Sequence, residues 1–245
     1  SGADLPAVGK KRLAELDVEL ALATQKFSEH VLDATNAFEL LIDDESKLAG
    51  LPQSAKDAAR ESAAKKDKAG WRFTLQGPSY LAVMTYLDDS DIREQVWRAY
   101  NTRASAGEFD NTVLLATILK LRAEKAALLG RRNFADLVLE DRMAKGGARA
   151  KEFIQQLAER TRSPFLAENE ALENFRRSLE GSDSGPMRPW DVGYHAEKLR
   201  QREYDFDEEQ LRPYFPYERV KQGLFELVQR LYGIEVRQER GVPVW

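Results

Sequence analysis

The sequence predicts a mostly α-helical protein, an array of several helices with one small two-stranded β element. Apolar residues recur at helical spacing along most of the 245 residues. Glycine and proline stand at the boundaries of these periodic segments, and only two short runs alternate as paired strands do. We expect a single helical region spanning residues 1–245, with a possible sub-division at the glycine- and serine-rich residues 181–187.

The first predicted element is a long amphipathic helix from Lys10 to about Asp33. Its apolar stripe consists of Leu13, Leu16, Leu20, Phe27 and Val31. Two alternating runs follow, Phe38–Ile42 and Trp71–Leu75, and we expect them to pair as strands. Between them, residues 54–68 are rich in alanine and lysine and predict a second helix.

Helical periodicity returns after Gly77 and continues through most of the chain. A short helix at residues 80–86 follows Pro78, and Asp89 or Ser90 caps the next helix. The remaining helical segments are, in order, residues 111–129, 134–139, 148–179, 190–203 and 219–232. Pro164 should kink or split the longest of these, because proline cannot donate the helical hydrogen bond. Residues 234–236 begin an alternating run that predicts a strand.

Composition excludes several classes of protein. The net charge is −4 and both signs are interspersed, which argues against a nucleic-acid partner. No run approaches the roughly 18 apolar residues of a membrane span, and the sequence opens without a signal-peptide core. Cysteine is absent, so disulfide and thiolate chemistry are excluded, and a reducing cytoplasmic location fits.

The sequence shows no catalytic motif of its own. Its two histidines, His30 and His195, lie on different predicted helices, and no His-Glu-x-x-His motif occurs. The nucleophile elbow Gly-x-Ser-x-Gly and the glycine-rich phosphate loops are also absent. Paired carboxylates stand at predicted helix starts, where the helix dipole favours them. We therefore predict neither catalytic nor metal-binding residues in this chain.

A series of short segments nevertheless resembles one enzyme family in the same order. They are Asn36–Leu40, Leu48–Ala55, Phe73–Leu75, Pro78–Leu81, Arg98–Ser105, Phe109–Asn111, Leu128–Gly130, Asn133–Ala135, Pro189–Asp191 with Tyr194 and Glu197-Lys198, Leu211–Pro216, Gly223–Phe225 and Leu231–Ile234. On these segments the chain resembles the thimet oligopeptidase family of zinc metallopeptidases, and within it the bacterial oligopeptidase A branch. One departure is that His195 follows Tyr194 where the family usually has paired tyrosines.

The resemblance implies that the parent protein is a cytosolic zinc metalloendopeptidase that cuts short peptides within a deep channel. In that family, two histidines and a glutamate hold the zinc and a second glutamate activates the bound water. The resemblance places those residues in a catalytic region after Trp245. This chain is then the non-catalytic helical portion, inactive alone and without zinc ligands, and it forms channel wall beside the missing catalytic half.

Five residues that flank the missing site are candidates for contact with substrate in the channel. They are Trp190, Asp191, Tyr194, Arg212 and Tyr214. Arg212 suits a peptide carboxylate, and Tyr214 offers a hydroxyl beside an apolar ring. The competing interpretation is structural, with Trp190 in the core and Asp191 as a helix cap.

Two other functions compete with the peptidase fragment. One is a stand-alone helical module that buries its apolar stripes against a partner protein. The other is a relative that has lost its catalytic half. The apolar end at Val242–Trp245 leaves a predicted strand uncovered, which favours truncation over a complete module.

Overall fold

The computed structural model describes residues 2–181, 185–204, 211 and 213–241. Within them the chain forms nine α-helices and one two-stranded sheet, so the mostly α prediction is confirmed. The helices are α1 (Ala7–Ala37), α2 (Gln53–Ala64), α3 (Gly77–Tyr86), α4 (Ser90–Asn101), α5 (Thr112–Leu128), α6 (Phe134–Leu139), α7 (Gly147–Glu180), α8 (Val192–Tyr204) and α9 (Tyr217–Tyr232). The strands are β1 (Leu40–Ile42) and β2 (Trp71–Phe73).

The chain divides into two compact units, Ser1–Leu199 and Arg200–Trp245. The boundary falls within α8. The glycine- and serine-rich stretch 181–187 belongs to the first unit, and its residues 182–184 lie outside the described residues.

The two predicted strands form one antiparallel pair, which confirms that prediction. Leu40 lies opposite Phe73, and Ile42 lies opposite Trp71. Gly70 opens the second strand with φ +86°, where a Cβ atom would lie 2.4 Å from the carbonyl oxygen of Ile42. Only glycine fits this close approach of the two backbones.

The core of the first unit surrounds this strand pair. Its fully buried side chains come from both strands and from the segments around α2, α3 and α4, and include Leu48, Phe73, Leu75, Val83, Leu87 and Val96. Asp89 caps α4 as expected, because its carboxylate accepts hydrogen bonds from the backbone of Asp91 and Ile92. The cap and the core together fix the start of α4, and α4 carries Arg93 of the candidate site.

The long helix α1 packs along α5, with Leu16 of α1 and Leu121 of α5 buried. Asn111, just before α5, donates to the carbonyl oxygen of Phe27 at 3.0 Å. Its side-chain oxygen lies 2.9 Å from Nδ1 of His30. His30 therefore has a structural partner within this helix pair.

One predicted feature is wrong, and a second is wrong in part. Pro164 does not split α7, which is helical from Gly147 to Glu180, and the kink at Pro164 stays a prediction. A single proline removes one helical hydrogen bond, and the neighbouring turns keep theirs. Residues 234–236 are not a strand, because the described part of the second unit gives them no strand to pair with.

Candidate functional site

Three of the five candidate residues lie together where α8 begins. Trp190 and Asp191 directly precede the helix and are buried, with 8% and 5% of their surface exposed. Tyr194 lies on the first turn of α8 and is half-buried. The structure thus brings these three residues to one place in the first unit.

Arg93 of α4 holds this segment in position. Arg93 is 2% exposed, and its Nη2 donates to Oδ1 of Asp191 at 2.5 Å. Nε donates to the carbonyl oxygen of Trp190 at 3.3 Å. Nη1 donates to the carbonyl oxygens of Leu87 and Asp88, at 2.5 and 3.0 Å. One side chain therefore ties the connection between α3 and α4 to the segment that precedes α8.

The Asp191 carboxylate is fully engaged. Besides Arg93, it accepts from Oγ of Ser90 and from Nε of Arg188, each at 2.7 Å. Burial raises the pKa of Asp191, but the hydrogen bonds from Arg93, Ser90 and Arg188 outweigh burial and hold the pKa below its usual value. Asp191 is therefore an ionised structural partner of Arg93, not a free acid or base.

Tyr194 and its polar neighbours form the solvent-accessible part of the site. Its ring lies 4.0 Å from the Arg93 guanidinium carbon, and its hydroxyl donates to Oδ1 of Asp88 at 2.7 Å. Lys198 Nζ lies 3.5 Å from the same carboxylate oxygen and 4.7 Å from the tyrosine ring. Burial and the hydrogen bond to Asp88 raise the pKa of Tyr194, which keeps the hydroxyl protonated. We call Asp88, Tyr194 and Lys198 the Tyr194 patch.

The Tyr194 patch can exchange hydrogen bonds with a ligand. The side chains of Asp88 and Lys198 are 43% and 39% exposed, so water reaches both. Together the three groups offer a carboxylate acceptor, an ammonium donor and a hydroxyl that does either. Groups of these kinds can pair with any ligand that carries complementary donors and acceptors.

Trp190 is a packing residue. Its indole is bordered by the ring of Trp97, at 5.7 Å between centroids, and by the guanidinium groups of Arg98 and Arg188. Its buried Nε1 has no hydrogen-bond partner in the part of the chain that the structure describes. These contacts agree with the competing interpretation, in which Trp190 is part of the core.

The other two candidates are Tyr214 and Arg212. Tyr214 belongs to the second unit, and 76% of its surface is exposed. Arg212 lies outside the described residues.

Sequence reasoning missed Arg93, Asp88 and Lys198. The signal for Arg93 was present, because it precedes Val96 and Trp97 by three and four residues and therefore shares the apolar face of α4. A charged residue on such a face is buried only when it is paired. Lys198 lies in one of the segments that resemble the family, and Asp88 carries no comparable signal in the sequence.

Metal ligands do not converge in the part of the chain that the structure describes. No group of three or more histidine, aspartate or glutamate side chains there has the arrangement to hold a metal ion. The described residues therefore do not fit a catalytic zinc, which needs three protein ligands.

None of the described helices is long and apolar enough to cross a bilayer.

Comparison with known proteins gives one family. The model of peptidase family M3 matches residues 83–245. The chain is 41% identical to oligopeptidase A of Haemophilus influenzae and of Escherichia coli, across 100% of this chain and 36% of each relative. It is 39% identical to a probable cytosolic oligopeptidase A of Arabidopsis thaliana, with the same coverage. The chain thus spans 36% of the length of these relatives.

The buried position of Arg93 predicts a large loss of stability when its charge is removed. In Arg93→Met, the Asp191 carboxylate stays buried without its main partner, which should lower the free energy of unfolding by about 3–5 kcal/mol. The matched control is Arg98→Met, whose exposed pair with Glu94 on the same helix should contribute less than about 1 kcal/mol. Urea unfolding followed by circular dichroism measures both. Equal losses in the two variants would contradict this role of Arg93.

Proposed function

This chain belongs to peptidase family M3, and we propose that it is the non-catalytic helical portion of a zinc-dependent oligopeptidase of the oligopeptidase A branch. In this proposal residues 1–245 form one region of a cytoplasmic metalloendopeptidase that cleaves short peptides. The observation that carries it is the 41% identity, which extends along the whole chain to a continuous part of oligopeptidase A. Similarity of that extent supports a shared role for the segment, not only a shared helical fold.

The absence of the zinc motif from the sequence supports a non-catalytic role. His-Glu-x-x-His does not occur in the 245 residues, and the two histidines lie on different helices. His30 pairs with Asn111, and His195 is buried against Glu180. We propose that the remaining part of the parent protein supplies the zinc ligands and the general base.

The Tyr194 patch supports a place for this chain in the channel wall. Asp88 can accept from a peptide N–H or an N-terminal amine, and Lys198 can donate to a peptide carbonyl or carboxylate. Arg93 holds the tyrosine ring, so the hydroxyl is in place before a peptide arrives. Trp190 and Asp191 then support the wall from behind, while Tyr214 and Arg212 are further proposed contacts.

An exposed apolar face on α7 supports the view that the parent protein is larger. Residues 151–170 of this helix are all exposed. Phe153, Ile154, Leu157 and Phe165 fall on one side of it, and we call them the α7 stripe. Apolar surface of this kind marks an interface. We propose that the catalytic part of the same protein covers it.

The two alternatives give the α7 stripe and the Tyr194 patch different roles. A stand-alone interaction module would bury the α7 stripe against another protein. A relative without a catalytic half would carry the Tyr194 patch without hydrolysing the peptide it binds. Activity separates both from the main proposal.

The first test is hydrolysis of a quenched fluorescent oligopeptide, with zinc and then with a chelator. We expect the 245-residue chain to be inactive in both, because its sequence lacks the zinc motif. The polypeptide extended by the downstream coding sequence should be active with zinc and inactive with chelator. An inactive extended protein would contradict the proposal, and chelator-sensitive cleavage by the 245 residues alone would refute the non-catalytic role.

The second test concerns Tyr194 in the active, extended protein. Tyr194→Phe removes the hydroxyl and keeps the ring beside Arg93, so we expect a higher KM for peptide with kcat nearly unchanged. One lost hydrogen bond of about 0.5–1.5 kcal/mol corresponds to an increase of roughly 2- to 10-fold. The control is Tyr232→Phe, on an exposed tyrosine of α9. Unchanged steady-state kinetics would remove Tyr194 from the channel.

A further inference from the structure

His195 is a buried titratable group for which the proposed function has no use. It lies on α8 and is 1% exposed. Among the described residues neither ring nitrogen has a hydrogen-bond partner, although Nε2 lies 3.1 Å from Oε1 of Glu180 in the last turn of α7. A buried polar ring without a hydrogen bond is uncommon in folded proteins and calls for a physical explanation.

Charged groups of both signs face the imidazole from three sides. Glu180 and Arg176 come from α7, Arg93 comes from α4, and Asp191 comes from the segment before α8. The ring of Tyr194 stands edge-on, with 5.1 Å between the centroids. His195 therefore lies at the junction of α7, α4 and α8.

This junction anchors the end of α7. Arg176 is 3% exposed, and it donates to Oε2 of Glu180 at 2.9 Å and to Oε1 of Glu173 at 2.8 Å. It also donates to the carbonyl oxygen of Gly185, beyond the end of the helix. Phe175 beside it is buried, whereas residues 151–170 of the same helix are exposed. The C-terminal end of α7 is therefore held in place by side chains that surround His195.

The closed junction suits the neutral ring and not the charged one. A protonated imidazole has two N–H donors, and the nearest oxygen of Glu180 can accept from only one of them. Burial lowers the pKa of His195, and the charges of Arg93 and Arg176 act in the same direction. The charges of Glu180 and Asp191 oppose this lowering without overcoming it. Acid therefore favours an arrangement in which the ring reaches water.

We propose that His195 is a pH-sensitive latch between the last turn of α7 and the start of α8, closed when the ring is neutral and opened by its protonation. Opening releases the anchored end of α7 and, with it, the helix that carries the α7 stripe. The latch depends only on residues of the first unit, so it can be tested independently of the proposed peptidase function.

The pH range of the latch follows from where the ring binds its proton. In the open junction His195 has the ordinary histidine pKa of about 6.5, and in the closed junction its pKa is lower. The stability of the closed junction relative to the open one is therefore greatest above about pH 6.5. Below that, the ratio of open to closed junctions rises about tenfold per pH unit until the pKa of the closed form is reached.

The chain makes this measurement simple, because it has only two histidines. In His30→Gln, His195 is the single imidazole, and its tautomer and charge are observed directly by long-range proton–nitrogen NMR during a titration. We expect the ring to remain neutral well below pH 6.5 while the junction is closed. A ring that becomes charged above pH 6.5 would show that the pair with Glu180 closes the junction in acid, and would overturn the proposal.

Opening is measured by hydrogen exchange of peptides from residues 173–181 and 190–195 between pH 7.5 and pH 5. Comparison with His195→Gln at each pH cancels the intrinsic exchange rates. His195→Phe serves as a second variant in case the first folds poorly. We expect wild-type protection to fall relative to both variants as the pH decreases. The same pH profile in wild type and variants would refute the latch.

Discussion

The buried ion pair between Arg93 and Asp191 is the interaction on which the candidate site depends. Arg93 reaches from α4 to four acceptors, and two of them lie in the segment that leads into α8. Such a pair need not stabilise the fold more than an apolar pair would, because both charges lose their hydration. What it fixes is geometry, since the same guanidinium sets the position of the Tyr194 ring and thus of the patch that faces solvent.

Local physics explains how much of the fold was predictable. The helical periodicity of α1 and α5, the cap at Asp89 and the pairing of β1 with β2 are all read from neighbouring residues, and the structure agrees with each. The two departures, no split at Pro164 and no strand at residues 234–236, arise where local signals compete with the rest of the molecule. At Pro164 the helix tolerates one missing hydrogen bond, and residues 234–236 alternate as a strand does but have no partner strand among the described residues.

The site was less predictable than the fold. Resemblance to a family identified Trp190, Asp191 and Tyr194, which the structure brings together, and it also identified Tyr214, which lies in the other unit. It did not identify Arg93, which is 98 residues from Asp191 in sequence. Pairing over such a separation is a property of the fold, and one sequence does not contain it. In the sequence His195 is one of two histidines and a departure from the family pattern, and only the structure shows that it is buried.

We propose that this chain is one part of a larger peptidase whose remaining part covers the α7 stripe. Hydrogen exchange of residues 151–170 tests this, with the 245-residue chain compared to the polypeptide extended by its downstream coding sequence. We expect strong protection of these amides only in the extended protein, at a pH above 7 where the proposed latch at His195 is closed. Equal exchange in the two proteins would contradict it.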